Sequence, residues 1–129
     1  MREPKDWNCD LFLVCRLERE DLAKQVAALI GGQASRRQVS NSLATIWVND
    51  NGYYPPEPGE PPQLLTQAPI YLEISPRPSA DWQAYLNCIR CLVNNLTALG
   101  YPMVADCDFS SMLAGVEPLN LRTQAEWVA

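Results

Sequence analysis

Two aspartates around Cys107 are the first residues in this sequence that could carry out chemistry. Asp106 and Asp108 are separated by one residue, so both carboxylates would project from the same side of a β-strand. A pair of carboxylates can transfer protons or ligate a metal ion. Two carboxylates alone at the end of a strand are more often solvated, and we therefore expect neither a metal nor another cofactor at this position.

The spacing of two cysteines matches a pattern used in thiol chemistry, but the predicted positions of the cysteines favour a structural role. Cys88 and Cys91 match the C-x-x-C pattern of redox and zinc sites, yet they fall in the middle of a predicted helix, where no helix N-terminus stabilises a thiolate. Cys9 and Cys107 become close neighbours if the last predicted strand pairs with the first, and buried thiols there act as small apolar side chains.

The sequence contains no histidine, which removes the commonest general base. We therefore predict no catalytic residue and a non-enzymatic protein.

Composition and charge exclude several classes of partner. The net charge of −5 and the isoelectric point of about 4.6 oppose binding to nucleic acid or to an anionic membrane surface. No apolar run approaches the ~20 residues that a membrane span requires. The N-terminus opens with charged residues and shows no apolar core of a secretory signal, and the number of cysteines is odd. We expect a cytoplasmic protein with reduced thiols, and neither nucleic acid nor membrane as a partner.

Periodic apolar residues divide the chain into the elements that must position these side chains. The predicted strands are residues 9–17, 38–50, 69–75 and 102–108, and the predicted helices are residues 18–30 and 80–99. Ser79 is the expected N-cap of the second helix, and Gly31 with Gly32 ends the first. The order β-α-β-β-α-β predicts an α+β ferredoxin-like fold, in which a four-stranded antiparallel sheet of strand order 4-1-3-2 carries two helices on one face. A different α+β connectivity, with an extra strand in the proline-rich stretch, is the alternative.

One domain is expected to span residues 1–129, because this length suits a single core. Residues 1–8 are expected to form a flexible lead-in with Trp7 as an anchor. Residues 53–67 predict a long proline-rich loop, since proline lacks the N–H donor that a central strand needs. Residues 110–129 predict a C-terminal arm, whose last part forms a short helix or packs on a neighbouring molecule.

The face of the sheet opposite the helices is the expected interaction surface, because it displays aromatic side chains to solvent. Together with the proline-rich loop and the acidic strand end, it supplies the candidate partner-binding residues Phe12, Arg16, Trp47, Tyr53, Tyr54, Glu57, Glu60, Tyr71, Glu73, Asp106 and Asp108. Two alternatives are open: the proline-rich loop or the C-terminal arm covers this face, or a second copy of the chain dimerises through it. RNA is not expected there, because the charge is negative and the glycine–aromatic signature of RNA-recognition domains is absent.

A recognisable combination of features is formed by the strand Ile70-Tyr71-Leu72-Glu73-Ile74-Ser75-Pro76, the helix after it and the segment Val104-Ala105-Asp106-Cys107-Asp108-Phe109. In these features roughly the last half of the domain resembles small acidic bacterial proteins of the immunity type, which neutralise toxins. The resemblance implies a protein that occludes the active site of a toxin. Glu57, Glu60, Asp106 and Asp108 are the residues that we expect to contact a basic toxin. The alternatives are a small ligand-binding domain or enzyme that uses Asp106 and Asp108, and a homodimeric domain of unknown role.

Overall fold

All the strands of the described residues join a single sheet. The computed structural model describes residues 3–61 and 63–119. The strands are β1 (Cys9–Leu13), β2 (Gln33–Ser35), β3 (Gln38–Ser40), β4 (Ala44–Asp50), β5 (Ile70–Pro76), β6 (Met103–Asp106) and β7 (Glu117–Leu119). The helices are α1 (Arg19–Ile30), α2 (Leu64–Gln67) and α3 (Trp82–Ala98), and a 3₁₀ turn spans Ser110–Met112.

Over residues 3–61 and 63–119 the sheet has seven strands, in the order β2-β3-β4-β5-β1-β6-β7. Each of the four central strands, β4, β5, β1 and β6, is antiparallel to its neighbours within this group. The hairpin of β2 and β3 extends one edge, and β7 lies parallel to β6 at the other. The α+β class agrees with the prediction, but the ferredoxin-like fold is wrong, because the described residues form a mixed seven-stranded sheet with three α-helices rather than a four-stranded antiparallel sheet with two.

A turn at Asn41 separates β3 from β4 and splits the segment 38–50, which the sequence predicts as one strand. Oδ1 of Asn41 accepts hydrogen bonds from the backbone N–H groups of Leu43 and Ala44, both at 2.8 Å. Nδ2 of the same residue donates to the carbonyl oxygen of Ile30 at the end of α1, at 3.2 Å. Asparagine favours turns because its side chain replaces backbone hydrogen-bond partners in this way. The chain therefore reverses, and β3 pairs with β4 as a hairpin.

The segment after β6 adds the last strand to the sheet. The chain passes the buried Phe109, makes the 3₁₀ turn and then runs as β7 beside β6. Nε of Arg90 on α3 donates a hydrogen bond to the carbonyl oxygen of Met112 at 3.0 Å, which fixes this turn against the helix. The short helix or packing arm expected for residues 120–128 lies outside the described residues.

Helices α1 and α3 cover one face of the sheet. Their apolar side chains share one core with alternate residues of the central strands, including Leu22, Val26, Tyr85, Leu86, Ile89, Leu11, Leu13, Ile46, Leu72 and Ile74.

Gly31 follows α1 with a positive φ of 66°, a conformation that glycine adopts without steric cost. Asp81, rather than the expected Ser79, caps α3, because its carboxylate accepts a hydrogen bond from the N–H of Ala84 at 3.0 Å. Among residues 3–61 and 63–119, no helix is both long and apolar enough to cross a membrane.

The proline-rich segment folds over the opposite face of the sheet. Leu65 and Ala68, in and just after α2, pack against Phe12 of β1 and Val104 of β6. Asn51, at the end of β4, fixes this cover, because its Nδ2 donates to the carbonyl oxygens of Leu65 and Ala68, both at 2.7 Å. Only part of the face opposite α1 and α3 is therefore open to solvent.

An aromatic cluster ties the start of β1 to the helical layer. The ring centroid of Trp7 lies 5.3 Å from that of Trp82 and 5.8 Å from that of Tyr85. The hydroxyl of Tyr85 donates a hydrogen bond to the carbonyl oxygen of Trp7 at 2.6 Å, and Phe109 meets Trp82 edge-on with centroids 5.3 Å apart. The cluster thus joins the N-terminal segment, α3 and the turn after β6.

Candidate functional site

Three carboxylates lie side by side on neighbouring central strands. In the register of the sheet Asp10 of β1 is directly opposite Glu73 of β5 and directly opposite Asp106 of β6. Side chains at directly opposite positions project to the same face, with Cβ atoms about 4.5–5.5 Å apart. We call Glu73, Asp10 and Asp106 the acidic row. The face that carries it is the one opposite α1 and α3.

The central member of the acidic row, Asp10, is half-buried and has a raised pKa. Partial burial, together with the negative charges of Glu73, Asp106 and Asp6, raises the pKa of Asp10 to about 6. Below this pH the side chain is mainly neutral, and above it the row gains another negative charge. The negative charge of the site therefore increases as the pH rises toward neutrality, and this strengthens its attraction for cations.

Trp47 continues the row on β4. It is directly opposite Glu73 in the sheet register, and 45% of its surface is exposed. Nδ2 of Asn49, also on β4, donates a hydrogen bond to Oε2 of Glu73 at 3.2 Å. A large indole thus stands next to a carboxylate whose position is fixed by a neighbouring amide.

In the next row of the same face, Phe12 is covered and Tyr71 is half-buried. Phe12 is only 4% exposed, since it packs under Leu65 and Ala68 and its ring centroid lies 5.1 Å from that of Tyr71. Tyr53 meets Phe12 edge-on, with centroids 6.5 Å apart. Coverage by the proline-rich segment, one of the open alternatives, therefore applies to this half of the face but not to Trp47.

The remaining candidate residues lie around these two regions. Tyr53 and Tyr54 begin the proline-rich loop and are 51% and 47% exposed. Glu57 and Glu60 are exposed in a turn, in which the N–H of Glu60 donates to the carbonyl oxygen of Glu57 at 3.1 Å. The two other candidates are also exposed, Arg16 after β1 and Asp108 in the turn after β6.

The sequence prediction missed the centre of the acidic row. Alternation along β1 places Asp10 on the same face as Phe12, and antiparallel pairing of the first and third predicted strands brings it beside Glu73. The face and the strand pairing could be inferred from the sequence. The register could not, because strand periodicity alone does not say which residues of two paired strands lie opposite each other. Asp6 was missed for a different reason, since it precedes the first strand and reaches Asp10 only through the path of the N-terminal segment.

The chemistry open to this arrangement is proton exchange or attraction of a cationic group. A carboxyl group with a pKa of about 6 can hold a proton near neutral pH. Within the two described stretches of chain, no group of three or more cysteine and carboxylate side chains has the arrangement to hold a metal ion.

Comparisons of the chain with protein-family models, with curated proteins and with solved structures gave no match.

Proposed function

We propose that this protein is a non-enzymatic protein-binding module that recognises a basic protein partner through Trp47 and the acidic row. The observation that carries the proposal is the direct opposition of Glu73, Asp10 and Asp106 on three adjacent strands. Like charges directly opposite one another destabilise a sheet, by an amount comparable to the roughly 0.2–1 kcal/mol of a favourable pair. A lysine or arginine of a partner placed beside Asp10 and Glu73 reduces the repulsion between these two carboxylates.

Trp47 adds an exposed apolar surface next to the charged carboxylates. Tryptophan is enriched among the residues that dominate binding energy at protein interfaces. A cation held near its ring gains about 0.5–1 kcal/mol from cation–π attraction at an exposed site. The indole and the carboxylate of Glu73 are cross-strand neighbours, so one basic side chain can contact both. This combination favours a basic protein over an acidic or purely apolar partner.

The charge of the whole chain supports the same partner. The net charge of −5 steers a basic protein toward this surface and makes association dependent on ionic strength. The resemblance to immunity-type proteins gives the proposal its most specific form, an inhibitor that covers the active site of a basic toxin in the cytoplasm. In that form Glu57, Glu60 and Asp108 extend the contact surface beyond the acidic row.

The test compares the full chain with two variants of the proposed surface. The chain is immobilised, proteins captured from a lysate of its native host are identified, and the affinity of a purified basic captured protein is measured by calorimetry. We expect Trp47→Ala to weaken binding about 30-fold, because loss of a central interface tryptophan costs about 2 kcal/mol. We expect Glu73→Gln to weaken binding about tenfold at low salt and less at high salt.

A matched control removes the same charge from the opposite side of the molecule. Glu20 is exposed on α1, within the helical layer, so Glu20→Gln should leave the affinity unchanged. Equal binding by wild type, Trp47→Ala and Glu73→Gln would contradict the proposal. Self-association that depends on Trp47, measured by sedimentation of the purified chain alone, would replace it with the homodimer.

A further inference from the structure

Two cysteine thiols meet on the helical side of the sheet. The pairing of β1 with β6 ends at Asp10 and Asp106, so Cys9 and Cys107 are the next residues beyond the last pair, and Cys107 packs against the core that contains Cys9. The two thiols are within hydrogen-bonding contact, and both are free. Directly opposite residues of antiparallel strands have Cα atoms about 4.5–5.5 Å apart, which lies inside the range that a disulfide spans.

The two thiols differ in their access to solvent. Cys9 is 1% exposed, inside the main core, whereas Cys107 follows the last residue of β6 and is only half-buried. The hydroxyl of Tyr85 lies close enough to both cysteines for their negative charge to raise its pKa, after the larger effect of its own burial. Because Tyr85 stacks with Trp7, the pair lies beside the aromatic cluster that holds the N-terminal segment.

We propose that Cys9 and Cys107 form a thiol oxidation site, which closes to a disulfide by exchange with a low-molecular-weight disulfide. The proposal is independent of any protein partner. This pair is distinct from the C-x-x-C pattern, whose cysteines Cys88 and Cys91 both lie on α3. Cys91 is exposed there and accepts a hydrogen bond from Asn95 of the same helix.

The reaction has two exchange steps. The Cys107 thiolate attacks one sulfur of the small disulfide, forms a mixed disulfide and releases the first small thiolate. The Cys9 thiol then loses its proton to solvent and attacks the Cys107 sulfur, which expels the second small thiolate. In total the two cysteines lose two electrons and two protons, and the small disulfide is reduced to two thiols.

The structure explains why Cys9 reacts second. Its hydrogen bond with Cys107 and its burial raise the pKa of the Cys9 thiol, and the charge of a Cys107 thiolate adds to the effect. Once Cys107 is held in the mixed disulfide, that negative charge is gone and deprotonation of Cys9 becomes easier. The buried thiol is thus protected until its partner has reacted.

The experiment incubates the folded full chain with buffers of graded glutathione disulfide to glutathione ratio, without denaturant. Remaining thiols are then alkylated, and the disulfide-linked peptides are identified by mass spectrometry. We expect a Cys9–Cys107 linkage, with unchanged far-UV circular dichroism and a thermal midpoint raised by about 10 °C, because the bond closes a loop of about 100 residues. The variant Cys107→Ser should lose the linkage and the rise, and Cys88→Ser should retain both.

Three results would overturn the proposal. One is a Cys107 that stays fully open to alkylation at every ratio while Cys91 takes up glutathione. Another is a stable mixed disulfide at Cys107 that never proceeds to Cys9. The third is a chain whose Cys9 and Cys107 stay reduced at every ratio in the folded state but become linked in a parallel incubation with denaturant. The variant Cys107→Ser changes a half-buried residue, so the comparison does not depend on a substitution in the centre of the core.

Discussion

At the scale of single residues, partial burial and the neighbouring negative charges oppose the ionisation of Asp10 in the folded chain. Its pKa in the folded chain is about 6, above the ordinary aspartate value near 3.8. The folded state therefore holds a proton that the unfolded state releases between these two pH values, and stability from this group falls as the pH rises through that window. We predict that Asp10→Asn raises the thermal midpoint by about 3 °C at pH 8, equivalent to about 1 kcal/mol after solvent screening, and changes it little at pH 4.

Thermal unfolding followed by circular dichroism at pH 4, 6 and 8 measures this difference. Glu20→Gln serves as a control, since it removes a carboxylate from α1 and should show no such rise with pH. A lower midpoint for Asp10→Asn at pH 8 would show that the ionised carboxylate stabilises the fold, and the repulsion within the acidic row would then be refuted.

At the scale of elements, Asn51 holds the proline-rich segment on the sheet. The residue is 4% exposed, and its Nδ2 donates to the carbonyl oxygens of Leu65 and Ala68 while its Oδ1 accepts from the N–H of Tyr53 at 3.0 Å. We predict that Asn51→Ala lowers the free energy of unfolding by about 2–4 kcal/mol, because buried backbone groups lose their partners. Urea denaturation measures the loss.

The matched control for this element is the same substitution on an exposed helix position. Asn94 is exposed on α3, so Asn94→Ala should change the free energy of unfolding by less than about 0.5 kcal/mol. Asn51→Ala should also open Phe12 to solvent, which would increase binding of a hydrophobic dye. Equal stability of the two variants would mean that α2 is held mainly by its apolar contacts.

At the scale of the whole molecule, one core spans both layers. It combines buried residues of α1 and α3 with residues of β1, β3, β4, β5 and β6, and the cluster of Trp7, Trp82, Tyr85 and Phe109 joins distant parts of the chain. We predict a single cooperative transition, with coincident near-UV and far-UV circular dichroism curves. Trp7→Ala should shift both curves to lower temperature together. Separate transitions for the two signals would show that the aromatic cluster unfolds independently of the sheet.

The sequence was most informative where periodicity reflects burial. The apolar rows of β1, β5 and α3 follow from alternation and from helical spacing, and these elements form near the predicted positions. It was least informative where one side chain decides the path. The Asx turn at Asn41 and the capping of α3 by Asp81 instead of Ser79 depend on which polar groups find a backbone partner, and several nearby residues could have done so.

By itself the sequence determined the α+β class, the absence of histidine chemistry and the acidic character of the chain, because these depend on composition and local periodicity. It also indicated that Cys9 and Cys107 would be neighbours. Only the tertiary structure decided that the described part of the chain forms a seven-stranded sheet, that Phe12 is covered while Trp47 is exposed, and that Glu73, Asp10 and Asp106 form one row. The physical reason is register: which residues of distant strands lie opposite each other depends on the packing of the whole sheet, and no local pattern encodes it.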